Sequence, residues 1–156
     1  MPDFPHFPDP TAEGEAHAIS FDAEGLAFEP DNPDRLRSWI ETVIQEEAHQ
    51  LRSIRYVFCT DEYLLRINQQ YLDHDTYTDI ITFPLAEAPD VDSDIFISID
   101  RVRENAETLG VPFPHELHRV IIHGVLHLCG YPDKTPEEAQ RMRHREDAAL
   151  KMIENS

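Results

Sequence analysis

Most residues able to do chemistry fall in one run, His123-Gly124-Val125-Leu126-His127-Leu128-Cys129-Gly130-Tyr131-Pro132-Asp133. Two histidines spaced i and i+4 on a helix lie about 40° apart around the axis and one turn along it, so both imidazoles reach one ion. Gly130 can take the left-handed backbone that ends a helix and turns the chain back, which brings Asp133 to the open side of the pair. His123, His127 and Asp133 therefore read as three ligands to one divalent ion, zinc by donor type. A fourth position is left for water, as in catalytic rather than structural centres. Cys129 falls roughly 200° around the helix from His127 and reads as a buried thiol, not a ligand. Arg119, one turn before His123, lies on the same face. His123 and Arg119 are thus the candidate catalytic residues; the alternative for Arg119 is an exposed side chain paired with Glu116 or solvent. His115, His118 and His144 lie nearby in sequence without belonging to the pattern and read as surface residues.

Gly124 narrows the chemistry. A zinc peptidase built on a His-x-x-x-His helix carries glutamate at this position, to take a proton from the metal-activated water. Glycine has no such group, which argues against peptide hydrolysis. The complete run resembles instead the YbeY family of endoribonucleases and ribosomal RNA maturation factors, whose hallmark is His-Gly-x-x-His-x-x-Gly followed by Tyr-Asp-His. Further blocks resemble that family in order and spacing: Ile67-Asn68-Gln69-Gln70-Tyr71, then Asp75 to Pro84 through Thr78-Asp79-Ile80-Ile81-Thr82-Phe83, then Asp94-Ile95-Phe96-Ile97, so that residues 18–152 are covered.

The resemblance implies a metal-dependent single-strand endoribonuclease acting in ribosomal RNA maturation and ribosome quality control. Its partners would be single-stranded ribosomal RNA and the small ribosomal subunit or its proteins, with no nucleotide cofactor. A non-catalytic ribosome-assembly factor with a structural metal is the alternative. Two positions depart from the family. Asp133 stands where the family has its third histidine, Pro132 occupying the place of the usual aspartate; a carboxylate ligand lowers the charge of the centre and makes its water less acidic. Leu72 stands where the family carries arginine, a natural phosphate clamp. Asp75 and Asp79 match family positions, but aspartate also suits a turn and a strand start, and both are read as structural.

The surrounding elements follow from periodicity and breakers. Alternation in residues 18–28, around Asp22 to Gly25, predicts a hairpin. Asn32-Pro33 opens a helix carrying Leu36, Trp39, Ile40, Val43 and Ile44 at helical spacing to about Gln50. Ile54 to Cys59 is a strand, and Thr60-Asp61-Glu62 caps a second helix. Thr78 to Phe83 and Asp94 to Ile99 are strands separated by an acidic loop, and a third helix runs from about Asp100 to Leu109, ended by Gly110. Residues 114–129 form the fourth helix, and Thr135-Pro136-Glu137-Glu138 is a capping box opening the fifth. The expected architecture is one compact α+β domain over residues 17–153, a mixed four-stranded sheet covered by about five helices. Residues 1–16, rich in proline and acids, are expected to form a disordered tail.

Composition points to a single soluble domain in a reducing, cytoplasmic compartment. The 156 residues suffice for one core, and the two cysteines, Cys59 and Cys129, form no Cys-x-x-Cys pair. No apolar run approaches the roughly 20 residues that span a bilayer, and the N-terminus lacks the pattern of a signal peptide, so no membrane role is expected. The chain carries 31 acidic against 13 basic residues, a net charge of −18, and Lys134 and Lys151 are its lysines. Such a balance is the reverse of an ordinary nucleic-acid binder. It fits either a surface adapted to high salt or drift to an acidic isoelectric point. The excess lies away from the motif: residues 101–145 hold seven bases against six acids.

Overall fold

The computed structural model describes residues 17–72 and 78–154, apart from the side chain of Leu72. The proposed tail, Asp75 and Leu72's side chain lie outside that description. The elements run β1 (Ile19–Glu24), α1 (Pro33–Glu46), β2 (Gln50–Cys59), α2 (Asp61–Leu72), β3 (Ile80–Pro84), β4 (Asp90–Ser98), α3 (Ile99–Leu109), α4 (Phe113–Leu128) and α5 (Pro136–Glu154). The strands form one mixed sheet in the order β1-β2-β4-β3, with β1 and β4 parallel to β2 and β3 antiparallel to β4. The α+β architecture read from the sequence is the one observed.

The hairpin expected at residues 18–28 is absent. Only Ile19–Glu24 forms a strand, and it pairs in parallel with β2, Ile19 opposite Ile54 and Phe21 opposite Tyr56. A parallel neighbour requires a long crossover, which α1 supplies. Leu26 and Phe28 pack onto the main core rather than returning along β1. Helix α1 also ends earlier than its apolar spacing predicts. Ala48 takes a left-handed backbone with φ of 59°, and His49 N donates to Ile44 O at 3.1 Å while Ala48 N donates to Gln45 O at 3.0 Å. These two bonds are a Schellman stop built without glycine.

The sheet is buried on both faces. Ile54, Tyr56, Phe58, Ile95 and Ile97 face the larger core, which α1, α3, α4 and α5 complete; Val57, Cys59 and Phe96 face a smaller one closed by Leu64 and Ile67 of α2. Helix α4 is central. Leu117, Val120, Ile121, Ile122, Val125 and Leu126 are all buried, as in a helix enclosed on most sides. Trp39 of α1 ties the far side by donating from Nε1 to Ala149 O of α5 at 2.8 Å.

Burial pushes the thiols of Cys59 and Cys129 up to about 12. A thiol reacts as its thiolate, so in native protein near about pH 8 neither cysteine should react appreciably with a chromogenic disulfide reagent, while both should react once denaturant is added. Rapid stoichiometric labelling of the native protein would contradict this placement.

Candidate active site

His123 and His127 sit one turn apart near the end of α4, and the chain reverses just beyond them. Gly130 has φ of 101°; Tyr131 N donates to Leu126 O at 3.1 Å and Gly130 N to His127 O at 3.0 Å. This is a Schellman stop of the kind the glycine predicts. Beyond it, Tyr131 Oη donates to Glu47 Oε1 at 2.8 Å, and Arg145 of α5 pairs with the same carboxylate. The loop is thereby tied to α1 and α5 before it reaches Asp133.

Asp133 Oδ2 stands 3.2 Å from His123 Nε2. The Nδ1 atoms of both imidazoles are engaged elsewhere, that of His123 with Glu146 Oε2 at 2.6 Å and that of His127 with Tyr131 O at 3.3 Å. Each ring thus keeps Nε2 for a ligand. His123, His127 and Asp133 line one cavity of about 340 Å³ together with Thr78, Asp79 and Lys134. Among the described residues no group of three or more His, Cys, Asp or Glu side chains stands ready to hold a metal ion. The donor set nevertheless fits one: two imidazoles whose Nδ1 atoms are engaged elsewhere share a cavity with a half-exposed carboxylate.

A second cavity of about 370 Å³ shares Asp79, Ile80, His123 and Asp133 with the first and continues past Glu116, Arg119, Arg143 and Glu146. Here the site departs from expectation. Arg119 is neither exposed nor paired with Glu116: Nη1 donates to Glu146 Oε1 and Nη2 to Asp147 Oδ1, both at 2.8 Å. Its charge is committed to two carboxylates rather than open to a phosphate. Spacing alone does not reveal Glu146, yet its position contains a signal. It falls on the inner face of α5 between Met142 and Leu150, both buried, where an apolar residue is the rule.

Two further carboxylates border the cavity. Asp79, read from the sequence as structural, is half-buried, and its burial holds the carboxyl above the usual range against the opposing charge of His123. Glu116 is buried with Oε1 lacking any hydrogen-bond partner, and burial likewise raises its carboxyl. For His123 burial favours the neutral ring, but the hydrogen bond and charge of Glu146, with the charges of Asp133 and Asp79, outweigh it and hold the imidazole above its ordinary value. Of the other histidines, His115 pairs with Glu154 at 2.5 Å and His144 is exposed. His118 is half-buried with its ring 5.7 Å from that of Trp39, and burial lowers its pKa, so the surface reading fails for it.

Gly124 has a packing role. A Cβ built there would lie 2.9 Å from Ile80 Cδ1, 3.5 Å from Ile95 Cδ1 and 3.6 Å from Thr82 Cγ2. The glycine avoids a clash with Ile80, the first residue of β3, and Asp79 just before that strand lies beside His123.

A histidine pair on a central helix faces a carboxylate-lined cavity in an α+β domain. Comparison with known proteins is specific. The sequence model of the family described as endoribonuclease YbeY matches residues 26–154. An endoribonuclease YbeY of Flavobacterium psychrophilum is 49% identical over 135 residues, covering 86% of this chain and 96% of the relative. One from Porphyromonas gingivalis is 46% identical over 138 residues, covering 88% and 91%. The solution structure of TM1509 from Thermotoga maritima aligns with a TM-score of 0.62 at 26% identity, covering 86% of this chain and 88% of that one. The chain belongs to the endoribonuclease YbeY family, and by that membership it is an endoribonuclease, a hydrolase.

Replacing Gly124 by glutamate, the residue a peptidase would use, should push Ile80 away and bury a charge. Chemical denaturation should show a stability loss of about 2 kcal/mol or more, and no metal-dependent cleavage of peptides should appear. Undiminished stability would refute the packing role of this glycine.

Proposed function

We propose that the protein is a metal-dependent single-strand endoribonuclease of ribosomal RNA maturation and ribosome quality control, working in the cytoplasm with the small ribosomal subunit or its proteins. The observation that carries the metal site is the approach of His123 Nε2 to Asp133 Oδ2 at 3.2 Å in a cavity that His127 also lines. His123, His127 and Asp133 would hold one divalent ion, zinc by the nitrogen and carboxylate donor set. A bound ion supplies Lewis acidity toward a phosphoryl oxygen and makes a water acidic enough to be deprotonated near neutral pH.

The remaining chemistry belongs to the chain. Glu146 meets Nδ1 of His123 and the Tyr131 carbonyl meets Nδ1 of His127, contacts that orient the two rings. With Arg119 neutralised and Leu72 in the place of the family arginine, the cations bordering the cavities and open to the RNA backbone are Lys134 and Arg143. Single strands suit this arrangement, since an unstacked backbone can bend into a recess that a duplex cannot enter. Burial biases Asp79 and Glu116 toward the neutral form, which reduces the repulsion an incoming phosphate meets.

His123→Ala and His127→Ala should each abolish stoichiometric zinc binding, read by metal analysis of untagged protein. The same variants should lose cleavage of a single-stranded RNA by about 100-fold or more, as expected when Lewis-acid stabilisation is removed. Peptide substrates should remain intact with every form. Full zinc retention in either variant would reject the site, whereas zinc binding without RNA cleavage by the wild type would favour an assembly factor with a structural metal.

A further inference from the structure

Glu146 is 4% exposed and sits on the apolar inner face of α5, where a carboxylate is costly unless both oxygens are satisfied. Both are. Oε1 accepts from Arg119 Nη1 at 2.8 Å and Oε2 meets His123 Nδ1 at 2.6 Å. Arg119 is itself anchored through Nη2 on Asp147 Oδ1 at 2.8 Å, so α4 and α5 share one connected chain of charged groups running from Asp147 to the imidazole. At the far side of the ring, Nε2 faces Asp133. When a carboxylate accepts a hydrogen bond from Nδ1–H of a neutral imidazole, the ring's free lone pair is on Nε2.

We propose that Glu146 is the positioning residue of the centre: it accepts a hydrogen bond from His123 Nδ1–H and so presents the Nε2 lone pair to the metal, while Arg119 holds the carboxylate in place. The assignment rests on the metal site argued above. It also gives Arg119 a role two contacts away from the ion. A simple staple between α4 and α5 would require only that Glu146 pair with Arg119; the second oxygen on the imidazole is what a staple does not explain.

Three measurements test this. In zinc-free wild-type protein, at a pH where the ring is neutral, nitrogen NMR should show His123 protonated at Nδ1; a dominant Nε2–H tautomer would overturn the proposal without any variant. Glu146→Gln keeps the volume but has one acceptor oxygen, which can serve His123 or Arg119, not both. Its zinc affinity, from competition with a chromophoric chelator, should fall about 10–100-fold. Glu146→Asp, which keeps both acceptors on a shorter arm, should recover part of the loss. Affinity for zinc within twofold of wild type in Glu146→Gln would reduce the residue to a staple and overturn the assignment. Zinc binding that survives His127→Ala would instead overthrow the site beneath it, an outcome the tautomer measurement distinguishes from a failure of Glu146 alone.

Discussion

Helix α4 has to be enclosed on nearly every side and still present two imidazoles to a cavity, and the rest of the domain is arranged around that demand. Its buried residues, Leu117 through Leu126, tie it to the sheet and to the helices beside it. The absence of a side chain at position 124 avoids a clash with Ile80 Cδ1 where the helix packs on β3. Next to that contact Asp79 lies beside His123, and the stop at Gly130 returns Asp133 to the same place. Interiors packed to crystal-like density transmit such constraints with little slack. A change at the helix–strand contact is therefore felt at the imidazoles.

Electrostatics around the helix run against the character of the whole chain. The protein carries a net charge of −18, yet its site holds carboxylates of its own, the buried Glu116 and Glu146 and the half-buried Asp79. They are not equivalent. Glu146 is doubly paired, with an arginine and an imidazole, whereas Asp79 and Glu116 are pushed toward their neutral forms by burial. The cavity is thus less negative than a count of its acids suggests, and Lys134 and Arg143 border it. A polyanionic substrate can be accommodated there even though most of the surface would repel it.

What could be read from the sequence was what depends on neighbours along the chain. Gly130 and Gly110 end their helices as their conformational freedom requires, and Thr135 and Glu138 form the reciprocal cap, Glu138 N to Thr135 Oγ1 and Thr135 N to Glu138 Oε1, both at 3.1 Å. The histidine pair and the burial of Cys129 followed from helical geometry. Where sequence reading failed, the deciding partner is distant in the chain. β1 has the alternation of a hairpin strand but finds its partner in β2, across the whole of α1. Arg119 lies on the expected face, yet its environment is set by Glu146 and Asp147 on another helix. Glu146 carried one local sign, a carboxylate in an apolar register, and only the fold shows that the imidazole of His123 answers it.

The central claim is that His123, His127 and Asp133 together hold the metal on which hydrolysis depends. A crystal structure of the zinc-loaded protein tests this most directly, because Asp133 is the proposed donor that departs from the family's histidine. The account predicts zinc bound by Nε2 of both histidines and by a carboxylate oxygen of Asp133, with Glu146 remaining on His123 Nδ1. Zinc held by the histidines while Asp133 points to solvent, or zinc bound elsewhere in the domain, would contradict it.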